Sequence, residues 1–199
     1  MQHFKTHTAV FRLPASLLLL FLLGAALSSR AAEPPRAQQR ACGAGQADPA
    51  ASSPETLIQA LYEIVSGPAK LAKDWARLQR LHAPGALITP TQHANDSFKA
   101  APQSLSEFIA LNERIFGARG FYEREISHRV ERFGHIAHVW SGYETREQPG
   151  GPVQGRGLNS FQLLNDGQRW CVLSATWDTD TAEHPLLPAG TPNQAAALH

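Results

Sequence analysis

The amino-acid sequence predicts an α+β domain, a cone-shaped fold with three N-terminal helices packed on a curved antiparallel sheet. Two observations carry that prediction. Apolar residues recur at helical spacing, with recognisable caps, as far as Ile115. After Gly120 the period changes to two, and the alternating runs are separated by short turns.

The first helix opens at Ser53-Pro54-Glu55: a serine to cap, a proline suited to the first turn, an acid at the positive end. Leu57, Leu61, Ile64 and Val65 form its apolar stripe, and Ser66-Gly67-Pro68 stops it. The second begins near Asp74, with Trp75, Leu78, Leu81 and His82 on one face, and Ala83-Pro84-Gly85 ends it. Ala86 to Thr89 reads as a short strand. Ser104 and Glu107 form a capping box for the third helix, whose apolar residues are Leu105, Phe108, Ile109, Leu111 and Ile115.

Four long strands follow, over Phe121–Phe133, His135–Glu147, Val153–Leu164 and Gln168–Thr179. Gly134, the Gln148–Pro152 loop and the Asn165-Asp166-Gly167 turn join them as an antiparallel meander. On the first of these strands, strict alternation puts Tyr122, Ile126, His128 and Val130 on one side. Glu123, Glu125, Arg129 and Glu131 fall on the other.

The N-terminus reads as an address. Residues 1–14 are polar and weakly basic, residues 15–27 are an unbroken apolar run, and Ser29-x-Ala31 is a cleavage pattern. The run falls short of the roughly 20 apolar residues that span a bilayer. Residues 1–31 are therefore expected to be a signal peptide that leaves no stable membrane anchor. The mature chain is expected to be secreted or periplasmic. Residues 32–53, rich in Ala, Pro, Gln and Gly, read as a flexible linker, and residues 183–199 as a loosely ordered tail. The domain is then 54–182.

Composition excludes some classes. The chain of 199 residues is 43% hydrophobic and 18% charged, ordinary for a globular domain. Three of its 18 basic residues, Lys5, Arg12 and Arg30, fall in the address segment, which holds no acid. The remainder is slightly acidic and shows no basic stripe, so a nucleic-acid partner is not expected. Two cysteines, Cys42 and Cys171, can pair in an oxidising compartment. The other reading is two unpaired thiols, with Cys171 buried in a strand. No ligand set at metal spacing occurs, since His135-x-x-His138 on a strand would point to opposite faces. No cofactor motif is present.

From about Pro54 to Asp180 the chain resembles the nuclear transport factor 2-like superfamily, and within it the bacterial SnoaL-like proteins of unassigned activity. The resemblance rests on Ser66-Gly67-Pro68-Ala69, Asp74-Trp75, and the stretches 121–125, 133–144, 156–164 and 170–178. It implies a pocket between the helices and the concave sheet face. It implies no reaction, because the superfamily holds isomerases, dehydratases, cyclases, hydrolases and non-enzymatic binding modules.

Candidate site residues follow from that pocket. His128, read as inward, is the candidate general acid or base, against the alternative of a core histidine bonded to a backbone carbonyl. Asp74 is a second catalytic candidate, and also a natural helix cap. Tyr62 and Tyr143 carry hydroxyls that can serve a ligand or an oxyanion, or simply pack. Trp75, Asn159 and Ser174 complete the ligand-binding set, the last two on strands whose alternation leaves their face open. The expected function is binding of a small, largely apolar ligand. The alternative is a cofactor-free lyase or isomerase using His128. A homodimer through the convex sheet face is the third class.

Overall fold

The structure, a computed structural model, describes residues 40–45, 47–94 and 97–186. The expected signal peptide lies outside the described residues, as does the tail beyond Leu186. Ser53, Asp74 and Ser104 each cap a helix through the side chain: α1 (Pro54–Val65), α2 (Trp75–Leu81) and α3 (Leu105–Ala118). Ser104 and Glu107 make the full reciprocal capping box. The strands are β1 (His82–Ala94), β2 (Ser97–Ala100), β3 (Gln103–Ser104), β4 (Tyr122–Phe133), β5 (Ile136–Arg146), β6 (Gly155–Asn165) and β7 (Trp170–Thr179).

These strands form one sheet in the order β2-β1-β7-β6-β5-β4, with β3 paired to β1. The meander β4 to β7 is antiparallel as expected. The sheet as a whole is mixed, because β1 runs parallel to β7. Parallel neighbours need a long crossover, and α3 with the meander supplies it. Two helices precede the sheet. The third follows β1–β3 and is not N-terminal to it. The expected short strand is also much longer than Ala86–Thr89. It starts at His82 and runs through Pro84 and Gly85, with its register on β7 broken between His82 and Leu87. Proline lacks the ladder donor and Gly85 sits at φ +79°, so the irregularity falls at the residues that punctuate a helix in sequence.

The core lies between α1, α2 and the sheet, where Leu57, Ile58, Leu61, Leu78 and Leu81 meet Val139, Phe161, Leu163 and Val172. The flexible-linker reading fails for its described part. Cys42 is buried and disulfide-bonded to Cys171 on β7, Pro49–Ser52 form a short 3-10 turn, and Ala51 joins the core. Asp48 caps that turn and accepts from the Arg77 guanidinium at 2.8 Å. A proline- and alanine-rich composition predicted disorder; a disulfide and one ion pair anchor the segment instead.

Candidate functional site

A cavity of about 400 Å³ lies between the helices and the sheet. Its helical wall is Leu61, Tyr62 and Val65 of α1, Leu78 of α2, and Leu105, Phe108, Ile115 and Phe116 of α3. Phe161, Ala175 and Trp177 supply much of the sheet wall. Gly157 faces Tyr143 in register, and a Cβ at Gly157 would collide with the Tyr143 hydroxyl. Ile115 lines the cavity yet is 41% exposed, which sets the mouth at the C-terminal half of α3.

Among the described residues, one acid lines this apolar space. Glu123 pairs with Thr145 across β4–β5, and both line the cavity. The alternation read from sequence assigned Glu123 to the outer face. A bulge between Glu125 and Ser127 resets the period, so that Glu123, Glu125, His128 and Val130 all fall on the helix side. Burial pushes the Glu123 carboxyl up to about 7, against the pull of a hydrogen bond from the Asn159 side chain. The negative charge of Glu123 in turn adds to the burial that raises both neighbouring phenols, Tyr143 to about 12 and Tyr62 further.

A directed hydrogen-bond chain leads from the cavity into the sheet. Ser141 Oγ donates to Glu125 Oε1 at 2.6 Å, so it must accept from the Tyr62 hydroxyl at 2.6 Å. Tyr62 in turn accepts from Asn159 Nδ2 at 2.9 Å. Tyr62 is thus committed on both sides, whereas Tyr143 interacts with Thr179, another cavity residue.

His82 is the second titratable group on the wall that sequence reasoning missed as a site residue. It closes α2 and starts β1, and its Nδ1 faces the Leu78 carbonyl oxygen at 2.8 Å. Nδ1 therefore carries the hydrogen and Nε2 is a bare acceptor. Burial pushes the ring down to about 4, so it is neutral at neutral pH. The helical stripe had placed His82 beside Leu78 and Leu81; only the assumption of a purely packing role hid it.

The structure distributes the expected site residues unevenly. Tyr62, Tyr143 and Asn159 line the cavity. His128 pairs with Ser141 on the helix side, but on an edge strand, with its side chain 54% exposed and Nδ1 3.5 Å from Glu125 Oε2. It is not part of the cavity wall. Asp74 is exposed and occupied as a cap, accepting from Arg77 N at 2.8 Å. Trp75 packs on Phe116 at 6.2 Å and lies outside the wall. Ser174 precedes the inward Ala175, Trp177 and Thr179 and is likewise not on it. Among the described residues, no group of three or more His, Cys, Asp or Glu side chains could hold a metal ion.

No family model matches the chain, and no curated protein matches it. Solved structures do. An NTF-2-like protein of unknown function from Silicibacter pomeroyi is 17% identical, with 63% of this chain and 91% of that one covered, at a TM-score of 0.44. A candidate ketosteroid isomerase from Shewanella frigidimarina is 16% identical, with 66% and 96% covered, at 0.45. The yeast Ubp3-associated protein Bre5 is 14% identical, with 64% and 93% covered, at 0.47. At this distance the likenesses concern the fold and assign no activity.

Proposed function

We propose that the cavity takes a small, largely apolar ligand and that Glu123 moves a proton on it, placing the protein among cofactor-free isomerases or lyases. One observation carries the reading: an apolar cavity holds a carboxyl whose pKa is lifted to about 7. A group poised there can take a proton at neutral pH and return it. The balance is simple. Glu123 carboxylate removes a proton from carbon next to a carbonyl, the C–H electron pair moves towards the carbonyl oxygen, and the same carboxylic acid protonates another carbon or the leaving group. Tyr143 is the cavity hydroxyl placed to donate to the oxygen where charge develops. Export also belongs to this proposal, supported by the Cys42–Cys171 disulfide, since such bonds persist in oxidising compartments.

The test is hydrogen exchange and isomerisation of a β,γ-unsaturated cyclic ketone in D2O, followed by NMR. Wild type is expected to accelerate both, and Glu123→Gln to lose about a hundredfold or more. His128→Ala is expected to stay within about twofold, because its side chain is outside the wall. Carbonyl probes that bind without any acceleration over Glu123→Gln would overturn the catalytic reading and leave a binding protein.

A further inference from the structure

The polar atoms of the cavity wall restrict what can occupy it. Glu123 and His82 stand far apart on the sheet. Glu123 is on β4 and His82 on β1, with β5, β6 and β7 between them. Four strand spacings measure about 19 Å along a flat sheet, less across a curved one. Apolar side chains such as Leu61, Phe161 and Ala175 occupy the wall between.

At the His82 end the chemistry is one-sided. Its Nδ1–H is spent on the Leu78 carbonyl, so only an acceptor lone pair remains for a ligand. A ligand that leaves this lone pair dry and unpaired forfeits the desolvation cost of a buried acceptor. Among the described residues, the one arginine or lysine on the wall is Arg156. Arg156, which borders the cavity, directs its guanidinium to Glu144, Nη2 to Oε2 at 3.6 Å. An anionic ligand would moreover face the Glu123 carboxylate.

We propose that the ligand is uncharged and carries a hydroxyl or N–H at its end remote from Glu123, donated to His82 Nε2. The inference rests on the cavity being the ligand site, and adds the polarity and placement of the ligand's groups. The hydroxyl fixes one end, the apolar body fills the middle, and the reacting end meets Glu123.

Three probes of one shape test it by calorimetry on the oxidised, full chain: 4-hydroxybiphenyl, 4-methylbiphenyl and biphenyl-4-carboxylate. Wild type is expected to bind the hydroxyl probe about tenfold tighter than the methyl probe, as one satisfied hydrogen bond provides. The carboxylate should bind weakest. His82→Phe should abolish the tenfold preference. Because His82 is buried and its loss can harm folding, the imidazole ¹⁵N spectrum of wild type is the companion measurement. The Nε2 resonance should move with the hydroxyl probe and stay still with the methyl probe. Equal affinities, a carboxylate preference or an unmoved Nε2 resonance would overturn the inference. So would a preference lost in Glu123→Gln and kept in His82→Phe, which would put the hydroxyl at the opposite end. If probes bind with the expected order but no ketone is turned over, only the catalytic reading fails.

Discussion

Two residues on the cavity wall bear opposite marks of the same desolvation. Glu123 is raised and His82 is lowered, because burial penalises the charged form of each. Their effects on stability therefore run in opposite directions with pH. For Glu123 the folded state holds its proton more tightly than the unfolded chain, whose carboxyl titrates near 4.5. Its contribution to stability is full below that value and lost as pH rises through about 7. For His82 the unfolded chain binds the proton more tightly, so stability is lost as pH falls from 6.5 towards about 4. In the overlapping window the two oppose each other, and only a single variant separates them. Glu123→Gln removes the ionising group and keeps its shape. It is expected to match wild type at pH 5 and to raise Tm by about 5 °C at pH 8, where wild type carries a desolvated charge. Thermal unfolding at the two pH values checks this. A Tm difference that is the same at both would mean that Glu123 titrates as an ordinary surface carboxyl, and the proton-moving role would lose its basis.

At the scale of elements, the outer face of β4, β5 and β6 is tied by one carboxylate. Glu144 stands in register with Arg124 on one neighbour and Arg156 on the other. Its Oε1 accepts from Arg124 Nε at 2.6 Å and from Arg146 Nη2 at 2.7 Å, and its side chain is only 2% exposed beneath these arginines. The hydrogen bonds from Arg146 and Arg124 hold its carboxyl below the ordinary range. Glu144→Gln keeps the shape, removes the charge and leaves three guanidinium groups crowded together. A loss of about 1–2 kcal/mol is expected in urea unfolding at pH 7, fading as pH falls below the carboxylate range. No loss at pH 7 would mean that solvent screens the cluster. The same strands explain which features were legible in sequence. Period two, Gly134 and the Asn-Asp-Gly turn are local, and the four long strands follow from them. Helix caps are local too, and Ser53, Asp74 and Ser104 all cap as their chemistry requires. A bulge exists only between two paired strands, so nothing local shows it. That one inserted residue is why strict alternation assigns Glu123 to the outer face; His128 is on the helix side as expected, but it sits half-exposed on the edge strand β4, outside the pocket wall. Long-range pairing also decides β1. Its partner is the last strand, so a run read as a four-residue strand becomes thirteen residues in the fold.

At the scale of the whole molecule, the disulfide joins positions 129 residues apart and brings the segment before α1 onto β7. The Arg169 guanidinium, itself buried, donates to the carbonyl oxygens of Cys42 and Gly43, so the junction is polar as well as covalent. Cutting the bridge therefore has two consequences. The unfolded chain gains the freedom of a long loop, which the chain-entropy view values at about 4–5 kcal/mol for a loop of this size. The folded chain risks losing the carbonyl acceptors of a buried guanidinium if residues 40–45 lift away. The main core does not include the two cysteines and is closed by α1, α2 and the sheet. The paired substitution Cys42→Ala with Cys171→Ala is thus expected to keep the fold while losing about 4 kcal/mol in urea unfolding. Proteolysis of the folded variant should cut within residues 40–48 before it touches the sheet, because these residues lose their covalent anchor to β7 and keep only polar ties: the Arg169 and Arg40 hydrogen bonds and the Asp48–Arg77 pair. An unchanged unfolding midpoint together with unchanged protease resistance would show that the ion pair and the small turn at Pro49–Ser52 suffice to dock the segment, and that the bridge adds nothing to the folded chain.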